Sequence, residues 1–96
     1  MLKLKPNCEA CGKPLPPDST EAMICSFECT FCRDCVEHKL SNVCPNCGGG
    51  FQSRPIRPRA MLERHPADPE PAPVNFDVQD HNRFLERYRD LPPEKR

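Results

Sequence analysis

With 96 residues, of which 36% are hydrophobic, the chain is sized for one small domain, and a self-sufficient apolar core is excluded. Its 14 Lys and Arg balance 14 Asp and Glu, so the chain as a whole makes no electrostatic case for nucleic acid. It opens Met1-Leu2-Lys3-Leu4-Lys5-Pro6 without an apolar run, and the expectation is neither a secretory leader nor a membrane span, but a cytoplasmic protein whose thiols stay reduced.

Leu2 and Leu4 alternate with Lys3 and Lys5, a short half-buried strand pattern that Pro6 ends. Asn7 to Lys13 has the form of a zinc knuckle, with Gly12 supplying the positive φ such a turn uses after its second cysteine. Pro14 to Thr20 is too rich in proline for a helix or a central strand and predicts an ordered loop. Glu21 to Cys25 reads as a short strand. Ser26 to Cys32 alternates polar and apolar residues as a hairpin strand would, with Phe27 and Phe31 on one face. Arg33 to Leu40 changes character: Val36 and Leu40 stand four apart and predict one or two helical turns with Cys35 at the start. Ser41-Asn42 ends that helix, Val43 enters a last knuckle from Cys44 to Gly48, and Gly48-Gly49-Gly50 closes a module spanning residues 1–52.

Six prolines between Arg54 and Pro73 predict an extended, polyproline-like linker over residues 53–75, mobile over 55–75 and locally basic from Arg54 to Arg59. Residues 76–96 form a tail. Within it Phe84, Tyr88 and Leu91 recur at i, i+4 and i+7, with Arg83, Glu86, Arg87 and Arg89 on the remaining faces, which predicts an amphipathic helix over about 80–91 stopped by Pro92-Pro93. So short a helix is marginal alone in water and must dock, either on the module or on a partner.

All eight cysteines lie between Cys8 and Cys47 and form four natural pairs: Cys8/Cys11, Cys25/Cys29, Cys32/Cys35 and Cys44/Cys47. Two or three residues between cysteines let both sulfurs of a pair reach one ion, and eight ligands with none left over predict two closed tetrahedral sites for two Zn2+. Each all-thiolate zinc site would carry a net charge of minus two, so the loaded module is more acidic than its five basic and six acidic side chains in residues 1–50 indicate. A structural zinc contributes roughly 10–16 kcal/mol of binding energy that is also folding energy, so the metal-free chain is expected to be largely unfolded. The spacing alone leaves the four pairs free to combine sequentially, nested or interleaved.

The spacing, Phe31 before the fifth cysteine, Val36 after the sixth and the closing Cys44-Pro45-Asn46-Cys47 resemble a RING finger over about forty residues. The resemblance implies the interleaved order, with Cys8, Cys11, Cys32 and Cys35 in one site and Cys25, Cys29, Cys44 and Cys47 in the other. It implies a small zinc-stabilised α+β module, a RING-like cross-brace of the treble-clef or knuckle type, followed by the Pro-rich stretch and the short C-terminal helix. The fourth position is Cys29, where most RING fingers use histidine. Glu9-Ala10 and Gly48 stand where ubiquitin-ligase RINGs carry a bulky aliphatic and often a basic residue, so ligase activity is not carried over. Residues 1–59 are also similar to a bacterial family of small cysteine-rich proteins known as a domain of unknown function. The shared features are Leu-x-Leu-x-Pro-Asn-Cys, Cys-Ser-Phe-Glu-Cys-Thr-Phe-Cys, Cys-Pro-Asn-Cys-Gly-Gly and Arg-Pro-Ile-Arg-Pro.

Four thiolates fill a coordination sphere and leave no place for water or substrate, and no Ser-His-Asp set, phosphate loop or carboxylate pair stands at a catalytic spacing. No catalytic residue is expected. His38 reads as a solvated neighbour of Cys35, and His65 and His81 lack ligand spacing and receive no role. The expected function is a non-enzymatic interaction or scaffold module whose partner is another protein. The alternatives are a nucleic-acid-associated regulator using Arg54 to Arg59 and, third, ligase-type activity through a conjugating enzyme.

Overall fold

A computed structural model describes all 96 residues. Strand β1 (Ala22–Ile24) is the middle of a three-stranded antiparallel sheet, flanked by β2 (Thr30–Cys32) and β3 (Gln52–Ser53). Ala22 pairs with Cys32 and Ile24 with Thr30 on one side, and Ile24 pairs with Gln52 on the other. Helix α1 (Arg33–His38) leaves β2 without a linker, Cys32 being at once the last strand residue and the helix N-cap. It ends where Ser41 and Asn42 both take positive φ, 50° and 57°, and the Asn42 side chain then accepts the Phe51 backbone N–H at 3.0 Å. Asparagine tolerates that left-handed turn better than most residues, which is why the break falls there.

Phe31 and Phe51 meet edge to face at 5.4 Å, with Leu15, Val36 and Leu40 packed around them. Each such side chain is worth about 1.5–3 kcal/mol when fully buried, and there are few of them. Six cysteines stand among the 19 buried residues, so sulfur makes up much of the interior.

Several expectations change. Leu2 and Leu4 form no strand, because the carbonyls a strand partner would take are claimed elsewhere: Leu2 O accepts from Arg57, Leu4 O from the Asp68 N–H at 3.0 Å and Lys5 O from Arg54. Phe27 does not share a face with buried Phe31. It sits in the turn from Cys25 to Cys29, outside the strand, and is 74% exposed. Residues 53–75 carry a four-residue helix, α2 (Arg59–Leu62), and are hydrogen-bonded to the N-terminal segment near both ends. Arg54, 3% exposed, donates to the carbonyls of Lys5, Leu15 and Pro16 at 2.9–3.2 Å. Asn7 and Ala72 exchange two hydrogen bonds at 2.8 and 3.1 Å.

Helix α3 spans Val78–Tyr88, starting and ending earlier than the predicted 80–91. The Asp77 carboxylate caps it, accepting from the Gln79 and Asp80 N–H groups at 2.8 and 3.3 Å. The helix docks on the module. His81, 1% exposed, bonds the Val43 carbonyl through Nε2 at 2.8 Å, and Phe84 and Tyr88 lie over Gly48. A 3-10 turn (Pro93–Lys95) then sets Pro93 against Gly50, and Arg96 donates to the carbonyls of Asn42 and Gly48 at 2.8 and 3.1 Å. Leu91, expected on the docking face, lies beyond the helix and is exposed. No helix is long and apolar enough to cross a membrane.

Candidate metal centres

The first and fourth cysteine pairs are built alike. In each, the first cysteine's carbonyl accepts the N–H four residues on, from Gly12 at 3.0 Å and from Gly48 at 2.8 Å, and each glycine has φ +78°. In each, the first cysteine's N–H returns to the carbonyl five residues on, Lys13 at 2.9 Å and Gly49 at 2.8 Å. The N–H two residues after the first sulfur points at it: Ala10 to Cys8 Sγ and Asn46 to Cys44 Sγ, both 3.4 Å. The second pair makes the same N–H contact, Phe27 to Cys25 Sγ at 3.4 Å, but spans one residue more and turns on Glu28 at φ +64°. The third pair uses a different device, the junction of β2 and α1, which puts Cys32 and Cys35 on one helical turn.

These elements gather the sulfurs into two groups. Cys8, Cys11, Cys32 and Cys35 have all four Sγ atoms within 4.8 Å of one another, and Cys11 and Cys32 stand 3.7 Å apart. A tetrahedron with metal–sulfur bonds of ~2.3 Å has edges of ~3.8 Å, so a separation of this size suits a bound ion. The second group holds Cys25, Cys44 and Cys47 within the same 4.8 Å limit. Cys29 falls outside that limit and takes the Asn46 side-chain N–H at 3.5 Å. The longer Cys25–Cys29 turn accounts for its outlying place. Both groups can hold a metal ion, and they take their members from the first and third pairs and from the second and fourth.

Burial pushes the Cys32 and Cys35 thiols up and raises Cys25 to about 11. Cys44 is raised and Cys29 is lowered to about 5, each chiefly by the other's side chain. For Cys8 burial acts upward, but the backbone N–H groups of Cys11, Cys32 and Ala10 outweigh it and the thiol is lowered. A cation entering either group must displace protons, so uptake releases acid and weakens as pH falls.

Other residues flagged in the sequence fall away from the sulfurs. His38 lies on the exposed face of α1, 3.5 Å from the Asp34 carboxylate. His81, given no role, is the buried anchor of α3. Its spacing to Phe84 and Tyr88, i, i+3 and i+7, marks the docking face, with histidine in a place usually read for an apolar residue. Glu9 stands where the RING resemblance implies an aliphatic. It turns inward, its carboxylate accepting the Thr30 N–H and pairing with Lys5 at 3.3 Å, which ties the first knuckle to β2. Nothing local in the sequence signals that pairing.

A family model described as "Protein of unknown function (DUF1272)" matches residues 1–57, which hold all eight cysteines. A relative from Rhizobium meliloti (strain 1021), "Uncharacterized protein R02474", is 61% identical over 67 residues, covering 70% of this chain and 80% of the relative. No solved structure matches.

Proposed function

The chain belongs to the DUF1272 family, proteins of unknown function, and from that premise we propose that it is a two-zinc, non-enzymatic interaction module of the cytoplasm with a RING-like cross-brace. The observation that carries this reading is the alternation of pairs between the two sulfur groups. Closing one group requires the first and third pairs, and closing the other requires the second and fourth, so neither ion could be held by a contiguous piece of chain. Four thiolates per ion favour a structural role over a catalytic one, because they leave no open coordination position. In the second group Cys29 completes the set by moving in from the flank.

A protein partner suits the module better than nucleic acid. Two of the three arginines of the basic stretch, Arg54 and Arg57, spend their guanidinium groups on backbone carbonyls and have little left for phosphate, which leaves Arg59 as its one exposed cation. The ligase reading gains nothing from Glu9, whose carboxylate is held against Thr30 and Lys5.

Native mass spectrometry of the purified chain is expected to find two zinc ions. Because the groups alternate along the chain, Cys11→Ser is expected to disturb both ions. A variant that keeps one intact, folded site would contradict the interleaved brace. The interaction role is tested by comparing zinc-loaded and chelated protein as bait in the cell's own cytoplasm. A discrete protein retained only by the loaded form is expected. Binding to DNA or RNA that weakens steeply with salt would favour the regulator reading instead.

A further inference from the structure

The eight sulfurs are not equally protected. Cys11 is the one exposed cysteine: six are buried, and Cys47 is intermediate. Five of the eight accept a directed N–H: Cys8 from Ala10, Cys25 from Phe27, Cys44 from Asn46 and Cys47 from Gly49, all at 3.4 Å, and Cys29 from the Asn46 side chain at 3.5 Å. An N–H aimed at a thiolate stabilises its charge and lowers its nucleophilicity. Cys11 has no such donor; its hydrogen-bonding contact is the sulfur of Cys32 at 3.7 Å. The tail makes the asymmetry sharper. Tyr88 and Phe84 lie over Gly48, beside Cys47, and Arg96 holds the Gly48 carbonyl, so the fourth knuckle is roofed. Over the matching glycine of the first knuckle, Gly12, a Cβ would meet only Val74, at a relaxed 3.6 Å, and Val74 is itself 55% exposed.

We propose that Cys11 is an oxidant-reactive site: a peroxide links it to Cys32 and empties the first cluster, while the roofed second cluster keeps its ion. The inference rests on the two-zinc reading above. A zinc-bound cysteine is a thiolate, the form that attacks oxidants. The Cys11 sulfur attacks one peroxide oxygen and breaks the O–O bond, becoming a sulfenic acid as the other oxygen leaves and is protonated to water. The Cys32 thiolate then attacks the Cys11 sulfur and displaces the hydroxyl, which takes a second proton and leaves as water. Two electrons pass from the two sulfurs to the peroxide, one S–S bond forms, and Cys8 and Cys35 alone are too few to keep the ion; the new Cys11–Cys32 bond still ties the first pair to the third, a tie that Cys11→Ser lacks, so the brace around the second cluster is kept.

The test titrates the zinc-loaded, full-length chain with hydrogen peroxide. Zinc per chain is read by native mass spectrometry, and the linked cysteines by alkylation and peptide mapping. The expected result is loss of one of the two ions together with a Cys11–Cys32 link, with Cys25, Cys29, Cys44 and Cys47 still free. Cys11→His, which offers a nitrogen ligand in place of the reactive sulfur, is expected to lose zinc to peroxide more slowly than the parent, each read against its own starting zinc content. First oxidation within the second cluster, or zinc loss from Cys11→His as fast as from the parent, would overturn the proposal. A chain that carries no zinc before peroxide is added would overturn the two-zinc reading itself.

Discussion

Gly12 and Gly48 occupy equivalent places in two knuckles and share φ +78°, yet they face different surroundings. A Cβ on Gly12 would meet nothing closer than Val74 at 3.6 Å, whereas one on Gly48 would fall 2.7 Å from the Tyr88 ring. Gly12→Ala is therefore expected to cost only the left-handed backbone penalty, roughly 1–2 kcal/mol. Gly48→Ala adds overpacking of about 1–3 kcal/mol unless the tail lifts away. Thermal unfolding of the zinc-loaded variants checks this: the lower Tm belongs to Gly48→Ala, and equal values would mean that the tail does not press on the knuckle. The positive φ was legible for Gly12, because a glycine after C-x2-C has few other uses. The second demand on Gly48 was not, since it comes from a side chain forty residues away. Arg54 teaches the same lesson: among prolines it reads as a solvated cation, and only the carbonyls of Lys5, Leu15 and Pro16, brought together by the fold, make it a buried clamp.

At the scale of elements, the strands and α1 follow from short local patterns, and they deliver sulfurs from both ends: β1 leads into Cys25, and the β2–α1 junction carries Cys32 and Cys35. Helix α3 has less local support. Its mean polarity is high, and its docking rests on His81, Phe84, Tyr88 and the Asp77 cap. Asp77→Ala is expected to cost about 1 kcal/mol by leaving the Gln79 and Asp80 N–H groups without their acceptor. Amide exchange reads the consequence: faster exchange in α3 and around Val43 to Gly50, with β1 and β2 unchanged. Unaltered exchange at Val43 to Gly50 would mean that the helix and the knuckle are not coupled. The helix was legible from Phe84 and Tyr88, but its end was not: the prolines at 92 and 93 set only an outer limit, and the helix stops at Tyr88. Its start is not legible, because an Asp cap ahead of Val78 and Gln79, neither part of an apolar stripe, gives a weak signal. The Leu2–Leu4 stretch shows the opposite failure: its alternation is strand-like, but arginines and an amide from residues 54–68 occupy the carbonyls that a neighbouring strand would need.

Over the whole molecule, a chain with few large apolar side chains places sulfur at its centre and wraps it from both ends, the N-terminal segment stitched to residues 54–72 and the tail laid over the last knuckle. The eight-cysteine pattern made the two clusters legible in outline. The flanking place of Cys29 was not legible, because it depends on how far the longer Cys25–Cys29 turn reaches, and the spacing states only that the turn is longer. With buried thiols in place of a large apolar core, the account makes metal the condition of folding. The most direct measurement is a zinc titration of the reduced, chelated chain followed by amide NMR. The account predicts a collapsed spectrum without metal that becomes dispersed and saturates at two equivalents of zinc. A dispersed spectrum before any zinc is added would contradict it.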